Sequence, residues 1–233
     1  MRFPFRLSAD LFKAKVSNLV AGDAAPSAIL HVVPREESFR RRSHAASPVI
    51  WLGGQEPLLN PRIGRAADDF VRLNRHVFLH TDGYELRQRI HEFRPDSRLF
   101  LTLEFRGREE THNRVMGRAN AFRRSLEGIR AAKLSGFLVA AHLTITRESD
   151  RCEMGELIEA LDSKDVDGFI ASTGGGSSLV HDRPLLRKLA EVRAMIRCSR
   201  WESFSRLLEA SYADAARADQ RVASNEGAYE EGV

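Results

Sequence analysis

The chain has 233 residues, 42% hydrophobic and 29% charged, a balance that excludes wholesale disorder and a low-complexity filament. No apolar run approaches the roughly 18 residues of a membrane-spanning helix, and two cysteines, Cys152 and Cys198, are too few for a disulfide framework or a four-cysteine metal site. The net charge of +4 is mild, and the heavy arginine bias (five lysines among 36 basic residues) does not amount to a nucleic-acid signature, so a nucleic-acid partner is not expected.

Residues 1–27 read as an N-terminal helical extension. Ser8 can cap a helix in which Leu11, Phe12, Val16, Leu19 and Val20 fall mainly on one side. With Phe3, Phe5 and Leu7 ahead of it, this segment can cover one end of a domain or lie on a membrane surface. It has no apolar stretch of a secretory signal, so the expected location is cytoplasmic, with peripheral membrane contact as an option.

Six short apolar runs follow: Ala28 to Val33, Pro48 to Leu52, His76 to Leu79, Leu99 to Phe105, Gly136 to Ile145 and Val166 to Ala171. They are nearly continuous and rich in β-branched and aromatic residues, as strands buried on both faces are. Helical patterns separate them. Asn60-Pro61 offers a cap before Ile63, Ala66, Ala67, Phe70 and Val71; Leu86, Ile90 and Phe93 repeat at helical spacing; Phe122, Leu126 and Ile129 open a helix that Gly136 ends; Leu157, Ile158 and Leu161 mark another. This cadence predicts βαβ units over residues 28–181, an α/β fold with a parallel sheet forming a partial (β/α)6 barrel. Pro184 to Arg217 reads as helix within a C-terminal helical region, residues 182–217, and 218–233 as a polar, disordered tail.

Polar residues gather where the runs end: Gly53, Gly54, Gln55 and Glu56; His80, Thr81, Asp82 and Gly83; Thr102, Glu104 and Arg106; His142, Thr144 and Thr146; Ser172, Thr173 and Gly174. The carboxyl ends of parallel strands form the ligand face of such folds, so these groups are expected around one cleft. Glu56 and Glu104 are candidates for a carboxylate pair across its mouth. Glu56 is equally a strand-end or cap carboxylate, and a lone histidine such as His142 is more often a satisfied structural residue than a ligand. Thr173 to Ser178 can cradle a phosphate or an adenine edge, or be a plain loop; no lysine follows to make a Walker pattern. Arg35 with Arg40, Arg41 and Arg42 forms a basic group suited to an acidic partner or headgroups, or a solvated run.

Several of these segments resemble the radical S-adenosylmethionine (SAM) superfamily. Gly53-Gly54-Gln55-Glu56-Pro57-Leu58-Leu59 is similar to its Gly-Gly-Glu-Pro-Leu-Leu, Thr81-Asp82-Gly83 to its Thr-Asn-Gly, and Leu101 to Gly107 with Glu110, His112, Asn113 and Arg114 to its fourth-strand segment. Met1 to Leu11 resembles the start of the hopanoid-biosynthesis, adenosyl-hopene transferase-like branch. The resemblance implies a radical-SAM-core barrel, SAM and a [4Fe–4S] cluster as cofactors, and a lipid or secondary-metabolism context. It makes Gly53, Gly54, Glu56, Thr81, Asp82, Thr102, Glu104, His142 and Gly174 candidates for SAM or nucleotide binding. The family's Cys-x3-Cys-x2-Cys loop after the first strand has no counterpart: residues 34–47 contain no cysteine. Thiolates hold such a cluster, so a metal site is not supported. Asp82 replaces the family's Asn and Arg106 its Asp, while Thr102 keeps a hydroxyl expected to meet a ribose. The expected function is therefore a cluster-less pseudoenzyme, a binding or accessory protein for a small molecule of SAM size with a protein partner an option. The alternatives are an active radical SAM-type or other barrel enzyme using the cleft for a different chemistry, for example with Glu56, Glu104 and His142 as acid–base groups, and a chain that has lost a segment.

Overall fold

The computed structural model describes residues 29–33, 47–174, 182–196 and 201–212. Six strands form one parallel sheet in sequential order: β1 (Ile29–Val32), β2 (Val49–Leu52), β3 (His76–Thr81), β4 (Leu99–Phe105), β5 (Leu138–Thr144) and β6 (Gly168–Ser172). Between them run α1 (Ile63–Arg72), α2 (Leu86–Arg89), α3 (Glu109–Met116), α4 (Ala121–Leu134) and α5 (Arg151–Asp162); α6 (Arg183–Met195) and α7 (201–212) follow β6. The sheet curls into a half-barrel with flanking helices, the partial barrel expected from the spacing of the apolar runs. β2, β5 and β6 are buried at every position, which is why their sequences run apolar without alternation.

Three local details refine the sequence pattern. β3 extends two residues past the apolar run, taking His80 and Thr81 into the ladder opposite Thr102 and Leu103. The Leu86–Phe93 repeat gives a single α-turn followed by a 3-10 turn, Ile90–Glu92, rather than one continuous α-helix. The helical region from Pro184 holds two described helices: α6 ends at Met195, where Ile196 turns to extended φ/ψ, and α7 runs from 201. The expected helix in residues 1–27, the tail 218–233, the arginine group at 35–42, the Gly175–Ser178 part of the glycine loop and Cys198 lie outside the described residues.

The two faces of the sheet have different covers. Leu79, Leu103 and Phe105 are buried on the outer face, where Phe105 meets Phe122 of α4 edge-on. On the concave face, Trp51, Phe78 and Phe100 stack in a row across β2, β3 and β4. Helix α7 lies on that row. Phe204 stacks on Phe78 at 4.7 Å, Trp201 meets Phe100 edge-on, and Tyr212 meets Trp51 edge-on. A Cβ on Gly168 would fall 1.9 Å from Trp201, so the indole needs glycine there.

Helix α7 also ties both ends of the sheet. On β6, Ser205 Oγ accepts from the Ala171 amide at 3.0 Å, and Glu209 accepts from the amide of Thr173 at 2.9 Å and from its hydroxyl. Arg193 of α6 donates twice to the Ala171 carbonyl and once to that of Ser205. On β1, His31 Nε2 and Ser211 Oγ are 2.7 Å apart. Among the described residues no helix is long and apolar enough to cross a membrane.

Candidate functional site at the strand ends

Two polar clusters occupy the carboxyl ends of the strands. The first belongs to β2 and β3. The β2 chain leaves the sheet at Gly53, whose amide donates to the Val32 carbonyl, and turns at Gly54 with φ +104°, a conformation that favours glycine. Gln55, at the place of a family glycine, is exposed. Glu56 caps the Pro57–Leu59 turn by accepting the Leu58 amide at 2.9 Å, and also takes the Thr81 hydroxyl at 2.6 Å and the Asp82 amide at 2.8 Å. Its carboxyl is pushed up to about 7, by burial first and by the Asp82 charge second, against the three hydrogen bonds. Asp82 in turn accepts the Tyr84 amide and pairs with Arg118 at 3.2 Å. Gly83 packs against Leu103 and Ser125 at φ +77°.

The second cluster lies on the concave face of β3 to β6. His142 Nδ1 is 2.8 Å from His80 Nε2, and its Nε2 is 2.7 Å from Ser172 Oγ. Trp51 stacks on His80 and meets His142 edge-on. Glu104 accepts the Thr144 hydroxyl at 2.6 Å and pairs with Arg106 at 2.8 Å. Burial opposes the charge on Glu104, but the two histidines, the Arg106 guanidinium and the Thr144 hydroxyl together hold its carboxyl below the ordinary carboxylate value. Burial pushes both imidazoles down, His142 to about 3. They are neutral near pH 7, so Arg106 and Thr144 are the standing partners of Glu104. Thr102, fully buried between His80 and Glu104 on the same face, has a hydroxyl with no partner among the described residues.

The sequence-derived residues therefore fall at one end of the barrel but in two groups. Gly53, Gly54, Glu56, Thr81 and Asp82 form the first, Thr102, Glu104 and His142 the second. Gly174, with φ +77°, lies beyond β6, its amide on Ser172 Oγ. Glu56 and Glu104 do not form the expected carboxylate pair: the acid beside Glu56 is Asp82, and Glu104 is engaged by Arg106 and Thr144. His142 has both ring nitrogens paired, the structural alternative of the sequence reading. His80 and Ser172, which the sequence also sets at the strand ends, complete the second group together with Tyr212, which it does not. Alternation along β3 carries the signal for His80, two residues beyond inward-facing Phe78. Tyr212 carries none, since α7 is separated from the barrel in sequence.

Among the described residues the donor set does not offer the thiolates that the family's cluster needs. Cys152 is exposed in the first turn of α5, and no group of three His, Cys, Asp or Glu among the described residues could hold a metal ion.

Comparison with known proteins identifies one family: residues 35–161 match the radical SAM superfamily. No curated protein matches the chain. Among solved structures, SuiB of Streptococcus suis bound to S-adenosylmethionine aligns at 14% identity and TM-score 0.49, over 65% of this chain and 37% of that one. The same protein bound to its precursor peptide SuiA aligns at 14% and 0.47, over 59% and 31%. TYW1 with a lysine–pyruvate adduct aligns at 16% and 0.42, over 68% and 49%. The chain thus spans about a third to a half of the length of these structures.

Proposed function

This chain belongs to the radical SAM superfamily, and from that premise we propose that it is a member that binds an adenosyl-type ligand at the strand ends without building a [4Fe–4S] cluster of its own. The observation that carries the reading is the absence of thiolates: residues 34–47, where the family places its three cysteines, contain none. Thiolate ligation is what seats such a cluster, and with it the low-potential electron that the family's chemistry draws on. The hopanoid-branch resemblance of Met1 to Leu11 supports a role in lipid or secondary metabolism, as a binding or accessory protein acting in the cytoplasm or at its membrane face. Residues 28–181 are the ligand-binding core of this proposal; 1–27 and 182–217 extend it.

What supports ligand binding is the state of the strand ends. Glu56 makes no ion pair among the described residues, and burial with the neighbouring Asp82 carboxylate leaves it half-protonated near neutral pH. An ammonium group of the ligand would supply a countercharge.

Iron analysis of anaerobically purified protein, together with calorimetry against SAM and S-adenosylhomocysteine, tests the reading. We expect no stoichiometric iron and saturable binding of both compounds. Four irons per chain after reconstitution would overturn the cluster-less assignment, and silence in calorimetry would overturn the ligand assignment.

A further inference from the structure

Four polar atoms on the concave face have no hydrogen bond among the described residues: Thr102 Oγ1, His80 Nδ1, the second oxygen of Glu104 and the Tyr212 hydroxyl. Thr102 is the telling one. Its side chain is wholly buried, and an unpaired buried hydroxyl costs about 1–3 kcal/mol. His80 and Thr102 are register partners on adjacent strands, and Glu104 follows two residues on, so same-face neighbours stand about 5–7 Å apart. Tyr212 comes from α7; the Glu104 and Glu209 charges both raise its phenol, behind the larger effect of burial. Solvent still reaches His80, Glu104 and Tyr212, which makes this a pit rather than a sealed core.

Hydrogen-bond accounting assigns the proton on His80. Ser172 Oγ already accepts the Gly174 amide and is fully buried, so its own hydrogen must go to His142 Nε2. His142 then carries its proton on Nδ1 and donates to His80 Nε2. That leaves His80 neutral with its N–H at Nδ1. The reverse direction would strand the buried Ser172 hydrogen. The pit therefore sets an N–H donor (His80) beside a carboxylate acceptor (Glu104), with two hydroxyls that can do either. The Arg106 pair balances the charge of Glu104, so the pit calls for neither a cation nor an anion.

We propose that His80, Thr102, Glu104 and Tyr212 form a binding pit for an uncharged amide-type group, one that offers a carbonyl to His80 and an N–H to Glu104. His142 and Ser172 are positioning residues that fix the His80 tautomer. The pit shares Thr102 and Glu104 with the residues expected to meet an adenosyl ligand, but its test uses no adenosyl compound, so the two readings fail separately.

Long-range ¹H–¹⁵N correlation on protein labelled at histidine reads the tautomer directly. We expect the Nδ1–H form at His80 and a saturable shift of its ring signals on titration with N-methylacetamide. Methylammonium and acetate should give no saturation. Thr102→Val removes only the unpartnered hydroxyl and should weaken N-methylacetamide about fivefold. Ser172→Ala should convert His80 to a tautomer mixture, and Ser172→Thr should restore the wild-type pattern. An Nε2–H tautomer in the wild type, no saturation by the amide (a pit that holds water only), or saturation by either charged probe would overturn the proposal.

Discussion

The Glu56 carboxylate receives the Asp82 amide at 2.8 Å while the Asp82 side chain is turned to Arg118. One acid is thus held by the backbone of the other, and only one of the two is paired with a guanidinium. The other, Glu56, titrates near 7 instead of 4.5.

Replacing Asp82 by Asn should bring Glu56 back toward the ordinary value, since it removes the like charge and keeps the oxygen that accepts the Tyr84 amide. The sign for stability follows from proton uptake. A carboxyl whose pKa is raised in the folded state costs stability as pH rises from its unfolded value of 4.5 toward 7, and the cost is constant above that. Asp82→Asn should therefore gain stability at pH 8 and change little at pH 4. Carboxyl ¹³C titration with urea melts at both pH values checks this; an unmoved Glu56 midpoint would refute it.

Acid should act through the histidine pair. Both imidazoles are held below their ordinary value of 6.5, so the stability they contribute is complete above that pH and is lost as pH falls from 6.5 toward the folded-state value, about 3 for His142. Each such group steepens the loss by at most about 1.4 kcal/mol per pH unit. His142→Leu should lower stability at pH 7.5 yet flatten the decline between pH 6.5 and 4.5, read by denaturant midpoints across that range. A decline as steep as wild type would remove His142 as its source.

Gly168→Ala should be severe for its size. The new methyl would fall inside the Trp201 ring, and overpacking of this kind costs about 1–3 kcal/mol or more. Thermal melting with tryptophan fluorescence reads both the stability and the displaced indole. Trp201→Leu in the same chain should recover part of the loss; an additive double variant would mean that the two positions do not meet.

Glu209→Ala should release the Thr173 amide without touching the Ala171 amide, which Ser205 holds. Residue-resolved hydrogen exchange should show faster exchange at Thr173 alone, with a loss of about 1–2 kcal/mol. Equal acceleration at both sites would indicate that α7 detaches as a unit.

The half-barrel was legible because strands buried on both faces must be apolar at successive positions, and the spacing between runs leaves room for one crossover each. Strand ends were also legible, since Gly54, Glu56, Asp82 and Glu104 interrupt the runs. The grouping of those ends was not. Nothing in the sequence says that Glu56 meets Asp82 rather than Glu104, because that depends on which way each side chain leaves its strand. The place of α7 was hidden for a related reason. Trp201, Phe204 and Tyr212 follow a helical period whose partners, Phe100, Phe78 and Trp51, lie a hundred or more residues earlier, and periodicity names a buried face without naming what buries it.

Among the described residues the parallel sheet has six strands and β6 lies at its border, and a border strand is a template on which another polypeptide can polymerise. At Ala171 that template has been consumed from within, its amide by a serine hydroxyl and its carbonyl by a guanidinium. An intruding strand would have to evict Ser205 and Arg193 before it could form its first rung, so the same side chains that seat the helix also guard the molecule against fibrillar self-addition along this margin.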